Sequence, residues 1–311
     1  MKTAYTFCPA SISSFFSPYI VDDPLKSGAI GGGFLLDIGV KVIVKADYSN
    51  GPLELISKIN GVPFDSFIVN KVLDLMGIHG DLNYKIEVEQ FIDVPIGCGY
   101  GTSGASALAV TMGLCKVLNI KMTLLQMARI AHLVDYYCGT GLGTVSGIIG
   151  GVGGIRIIVN PGGPGYAIVD RILIPDECYI VSAAFAPIDK KGILKTPGRL
   201  NHLEIIGKNT LNSILSEPSA ENFLRSCRDF AFKAGFMTPR VESLIKAIDN
   251  TNVIGVTQNM IGEAVHVLIY PEDLDYVKSV FMKFFNSEDI IIARIDDRGP
   301  RYLSEQCFSG V

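Results

Sequence analysis

Between Pro95 and Ser106 the chain reads P-I-G-C-G-Y-G-T-S-G-A-S. Glycines at 97, 99, 101 and 104 surround the hydroxyls of Thr102 and Ser103, and no charge intervenes. Such a run lets the backbone turn tightly and approach a ligand closely, because no Cβ stands in the way. Helix-forming residues, Ala105–Leu118, follow at once, so free N–H groups and a positive dipole end point back at the loop. These residue types favour an anion site, phosphate above all. The plain alternative is a glycine-rich turn ahead of a buried helix. Further on, His132 and Asp135 lie three residues apart, on one side of an expected helix. A second glycine-rich tract, 138–154, precedes Arg156, a cation in otherwise uncharged surroundings.

The kind of phosphate chemistry narrows by elimination. Gly99–Gly104 formally matches G-x-G-x-x-G, a weak pattern on its own. The preceding strand, Tyr84–Val94, alternates Lys85, Glu87 and Glu89 with Ile86 and Val88, whereas a central parallel strand of a dinucleotide fold is almost wholly apolar. No acid occurs between Asp93 and Asp135, so the ribose-binding carboxylate of that fold is missing. A Walker loop is absent too, since Gly207-Lys208 is followed by Asn209.

The elements that must position these groups are readable in part. Asn60-Gly61 predicts a hairpin after Glu54–Ile59, and Asp65-Ser66 can cap a helix with a stripe of Val69, Val72, Leu73 and Met76. Thr123 and Gln126 form a capping box. Phe34–Leu36 and Val40–Lys45 read as two short strands, with Ile155–Val159 as a third. From about residue 166 the texture changes to regular strands (178–184, 252–256, 264–269, 290–294) and regular helices (201–216, 219–235, 239–248, 271–285). A domain boundary is expected near residue 170, giving domains 1–170 and 171–311.

Composition sets outer limits. With 311 residues, 48% apolar and 19% charged, the chain can bury a full core. A net charge of −4 without a Lys/Arg cluster argues against nucleic acid. Seven scattered cysteines without a C-x-x-C pair suit reduced thiols in the cytoplasm, not a disulfide framework or a zinc site. The opening M-K-T-A-Y-T-F-C-P is too short in apolar residues for a signal peptide. The uncharged stretches 94–115 and 136–155 are glycine-rich, without basic flanks or an aromatic belt, and are not expected to span a membrane.

On the residues quoted above and several others, the chain resembles the GHMP kinases. Their ATP loop reads P-x-G-x-G-L-G-S-S-A, and Pro95–Ala105 follows it with Tyr100 for Leu, Thr102 for the first Ser and Gly104 for the first Ala. Pro9–Phe16, Asp23–Gly28, His132–Asp135 and Cys138–Gly143 are similar to segments of archaeal pantoate kinases, and Gln258–Glu263 sits where the third superfamily motif belongs. The resemblance implies an α+β, two-domain GHMP kinase fold: an N-terminal ATP-binding domain like the second domain of ribosomal protein S5, and a C-terminal ferredoxin-like α/β sandwich. It also implies ATP-dependent phosphorylation of a small hydroxy acid, most like pantoate, on the way to coenzyme A; a homodimer is left open. Pro95, Gly97, Gly99, Tyr100, Gly101, Thr102, Ser103 and Gly104 would bind ATP. Ser103 and Asp135 would hold Mg²⁺, and Ser27, His132 and Arg156 would face the acceptor. Four departures stand out. Asp135 replaces a Glu, Ser11 replaces a His, Ile30 sits where a basic residue is usual, and Thr144 stands where relatives carry an Asp usually read as the base. Thr cannot act as a general base near neutral pH, though its hydroxyl could orient the acceptor. A sister kinase acting on mevalonate or homoserine, or a nucleotide-binding regulator without catalysis, are the competing readings.

Overall fold

The computed structural model describes residues 1–80, 83–188 and 198–308. Two long antiparallel strands, β1 (Lys2–Tyr19) and β2 (Gly28–Tyr48), form its spine. The two short strands expected within 34–45 are parts of β2. Pairing steps from Pro9–Gly39 to Ala10–Leu36, so Asp37 and Ile38 bulge out and the strand continues. Glycine and proline mark this bulge without ending the strand, because a bulge absorbs the residues that cannot pair.

Around this pair the first sheet adds β3 (Glu54–Ile59), β4 (Val62–Pro63), β5 (Tyr84–Ile92), β6 (Ile155–Asn160), β7 (Ile168–Ile172) and the late β12 (Arg301–Tyr302). Asn60 and Gly61 both take positive φ, 49° and 78°, and make the expected turn between β3 and β4. Strand β5 is antiparallel to β2 and parallel to β3, so it is interior. Its charges alternate because Ile86 and Val88 are buried on the inner face while Lys85 pairs with Glu54 and Glu87 on the outer one.

The inner face is covered by α1 (Phe67–Leu75), α2 (Thr102–Val117), α3 (Leu124–Cys138) and α4 (Thr144–Gly150). Ser66 caps α1, and the Thr123–Gln126 box caps α3, whose C-terminal Gly139 is left-handed. Helix α2 is buried on nearly all sides. Gly113 lets it press onto β2, since a Cβ there would lie 2.4 Å from Val44 Cγ2. Helix α4 is unannounced in a glycine-rich tract; it forms because Val145 and Ile148 are buried on one side of it.

After β7 the chain enters a second sheet, ordered β11 (Ile291–Arg294), β8 (Tyr179–Pro187), β10 (Gly262–Ile269), β9 (Gly255–Gln258) and antiparallel throughout. Strand β10 lies between β8 and β9, the split βαβ arrangement. Helices α5 (Arg199–Ser216), α6 (Ala220–Lys233), α7 (Pro239–Ile248) and α8 (Leu274–Phe281) complete this half. Edge-to-face contacts of Phe15 and Phe34 with Phe223 on α6 run one core through both halves. Among the described residues no helix is long and apolar enough to cross a membrane.

Candidate active site

The glycine loop leads into α2 where the two sheets meet, and both sheets hold it. Ser11 N donates to Tyr100 O at 2.7 Å and Ser13 N to Gly99 O at 3.3 Å, so β1 supports the loop. From the second sheet, Asn259 Nδ2 donates to Cys98 O at 3.4 Å. Gly97, Gly99 and Gly101 have φ of 80°, 82° and 63°. Space demands glycine as well: a Cβ on Gly99 would lie 2.8 Å from Asn259 Cβ, and one on Gly101 would lie 2.9 Å from Ser11 O.

Gly101 is the N-cap of α2, and no side chain of the described residues caps that helix end. The first-turn N–H groups therefore face the loop, as an anion site requires. Tyr100 contributes differently from the rest. Its ring is buried and its hydroxyl lies 2.6 Å from Ser182 Oγ on β8, so the side chain anchors the loop to the second sheet. Burial pushes its pKa up, with the Ser182 hydrogen bond opposing.

Ser103 and Asp135, 32 residues apart in sequence, meet here. Ser103 Oγ donates to Asp135 Oδ1 at 2.7 Å, and Thr140 Oγ1 donates to the same oxygen at 2.6 Å. Asp135 is 1% exposed, and glycines at 104 and 141 make room for it: a Cβ at either would lie 2.8 or 2.5 Å from Oδ2. Thr144, first residue of α4, sets its methyl against Gly101 and Gly104.

Two cavities meet at this point, sharing Gly99, Gly101, Gly139 and Thr140. The larger, about 900 Å³, has apolar walls from Phe64, Phe67 and Ile96 and reaches Ser103 and Ser106. The smaller, about 470 Å³, is lined by Ser11, Phe16, Ile30, Thr144, Arg156 and Met260, among others. Among the described residues Arg156 is the one ionised side chain in its lining. Strand β6 places it there, 4% exposed, with Nη1 donating to Phe34 O at 3.3 Å and Nη2 to Ile12 O at 2.9 Å. Among the described residues it has no carboxylate partner within ion-pair distance, and burial lowers its pKa to about 10.

His132 and Ser27 come together, both buried and outside the lining of the smaller cavity. His132 Nε2 lies 3.0 Å from Pro24 O, and burial lowers its pKa. The Ser27 hydroxyl donates to Val21 O at 2.9 Å and accepts from Val21 N at 3.0 Å, closing the 21–27 turn. Sequence reasoning missed Thr140, although it lies within the quoted Cys138–Gly143 segment. It also missed how the 259–261 turn seats on the glycine loop, where a Cβ on Gly262 would collide with the Cys98 carbonyl.

Residues 67–149 match the family model of the GHMP kinases N terminal domain. A pantoate kinase of Methanocaldococcus jannaschii is 30% identical over 274 residues, covering 88% of this chain and 96% of that protein. Another, from Thermococcus kodakarensis, is 27% identical over 277 residues, covering 88% and 90%. A solved structure described as a phosphotransferase related to the CoA biosynthesis pathway has a TM-score of 0.87 and 25% identity, covering 97% of this chain and 99% of that one. The chain belongs to the GHMP kinase family, grouped with the pantoate kinases.

Proposed function

We propose that the protein transfers the γ-phosphoryl group of ATP to the primary hydroxyl of pantoate, forming 4-phosphopantoate. The observation that carries this is the junction of the two cavities at the uncapped start of α2, with one unpaired-by-carboxylate guanidinium in the smaller cavity. Both positive features ask for anions: a polyphosphate at the helix and a carboxylate at Arg156.

In this reading the larger cavity takes the nucleotide, its base against Phe64 and Phe67 and its phosphates on the N–H groups of the glycine loop. Ser103 and Asp135 are the groups to hold Mg²⁺, and their oxygens suit that hard cation. The ion would neutralise charge on the transferring phosphate. Arg156 binds the acceptor carboxylate. His132 and Ser27 support it indirectly, by fixing the 21–27 turn that leads into Ala29 and Ile30 of the cavity lining. Thr144 orients the acceptor hydroxyl without removing its proton; a loose phosphoryl-transfer transition state tolerates late deprotonation. The seven free thiols fit a reducing cytoplasm.

Phosphorus NMR of a reaction with ATP and pantoate tests this: a new phosphomonoester should appear as ATP is consumed. Thr144 in place of an acid is the one observation that favours a non-catalytic nucleotide-binding protein. Tight ATP binding without any phosphomonoester would select that second reading.

A further inference from the structure

A buried polar chain joins the second sheet to the glycine loop, and the Asn259–Cys98 contact is only its last link. Ser14 sits at a bulge in β1, between Ser13, which pairs with Gly33, and Phe15, which pairs with Gly32. The bulge frees Ser14 from the regular alternation and aims its hydroxyl across to β10. There it lies 2.9 Å from His266 Nε2, while His266 Nδ1 lies 2.7 Å from Asn259 Oδ1. Asn259 Nδ2 in turn donates to Cys98 O, inside the loop. Ser14, His266 and Asn259 are all fully buried.

The direction of every bond follows from its last member. The Cys98 carbonyl can only accept, so Asn259 turns its NH₂ to the loop and its oxygen to His266. Nδ1 of His266 must then donate, which leaves Nε2 of the neutral ring to accept from Ser14. Burial holds the His266 pKa down at about 3, so the ring stays neutral in any ordinary buffer. The chain runs one way, from Ser14 through His266 and Asn259 to Cys98, and aligned bonds in a dry interior reinforce one another.

Packing leaves the loop no slack against this chain. Asn259 Cβ is where a Cβ on Gly99 would collide, and Met260 N donates to Ser13 O at 2.7 Å. A shift of Asn259 is therefore a shift of Cys98 and Gly99, next to the amides at the start of α2. We propose that Ser14, His266 and Asn259 are positioning residues that set the phosphate loop in its anion-binding conformation from the second sheet. The role rests on the reading of this loop as the ATP phosphate site.

Ser14→Ala and Asn259→Ala test it, with His266→Gln as the conservative variant that keeps a donor and an acceptor. The full-length protein is titrated with ATP and, separately, with adenosine, which lacks phosphates. Each alanine variant should weaken ATP binding about tenfold, the scale of one buried hydrogen bond, and leave adenosine binding within about twofold. The double variant should lose little more than Asn259→Ala alone, because the chain acts as a unit. His266→Gln should retain most ATP affinity. Equal loss for ATP and adenosine, or a lowered melting temperature with ATP affinity unchanged, would overturn the proposal in favour of a purely structural role. Hydrogen exchange of the Gly99–Gly104 amides without nucleotide provides a separate readout. It should quicken in Ser14→Ala, a change too small to threaten the fold, and unchanged exchange would also overturn the proposal. If wild-type protein failed to bind ATP, the nucleotide reading would fall, and the exchange result would still decide whether the chain positions the loop.

Discussion

Replacing Arg156 should separate acceptor binding from everything else the site does. Its guanidinium is buried, two of its five N–H donors go to the Ile12 and Phe34 carbonyls, and no carboxylate of the described residues balances it. A pKa lowered to about 10 by burial means that keeping the charge there costs about 3 kcal/mol. A substrate carboxylate that pairs with the remaining donors can recover an energy of that size, which corresponds to about 100-fold in affinity. Arg156→Met should therefore raise the KM for pantoate about 100-fold while leaving the KM for ATP and kcat within a few-fold, the pattern for lost uniform binding. Arg156→Lys keeps the charge but not the planar fork and should fall between, at about tenfold. The assay is initial-rate kinetics with pantoate and with its carboxamide analogue, on protein whose fold is checked by circular dichroism. The carboxamide should be a poor substrate of both wild type and Arg156→Met, to the same degree. A folded Arg156→Met enzyme with a pantoate KM within threefold of wild type would refute the assignment.

Other perturbations reach other parts of the site. Ser103→Ala removes a hydroxyl that donates to Asp135 and faces the loop; turnover should drop by orders of magnitude with the melting temperature little changed, and near-normal turnover would remove Ser103 from the mechanism. Thr144→Asp places an acid near the cavity junction, against Gly101 and Gly104. If late deprotonation suffices, kcat should stay level or fall, and a tenfold gain would show that a base was limiting. Acid should destabilise the fold through His266, whose pKa is about 3 when buried against an ordinary 6.5. A depressed histidine pKa gives stability that is complete above pH 6.5 and is lost as pH falls, because the unfolded chain binds the proton first. At pH 4.5 that loss is about 3 kcal/mol, and thermal melts should show a shallower acid decline in His266→Gln; identical declines would contradict the burial argument.

How much of this was legible in the sequence depended on how local the cause was. The glycine loop was readable because positive φ and the lack of a Cβ are properties of single residues, and Gly97, Gly99 and Gly101 use both. Capping at Ser66 and Thr123 was readable for the same reason. Helix α4 was not, because its stability comes from the burial of Val145 and Ile148 and not from its glycine-rich composition. The fusion of two expected strands into β2 was hidden because punctuation by Asp37 and Gly39 marks a bulge as readily as an end. Arg156 stood out by its isolation in sequence, and that isolation persists in the fold. Spacing placed His132 and Asp135 on one side of α3 but could not say what each meets there: Asp135 meets Ser103, while His132 meets the Pro24 carbonyl outside the cavity lining. The Ser14–His266–Asn259 chain spans some 250 positions, and no local pattern announces it.

ADP release measured with pantoate, mevalonate and homoserine side by side, each at saturating ATP with Mg²⁺, decides whether the protein is a kinase acting on pantoate. ADP release with pantoate should stand well above the acceptor-free background, with little from the other two. Turnover with mevalonate or homoserine and none with pantoate would contradict the assigned acceptor, and no turnover with any of the three would contradict catalysis itself.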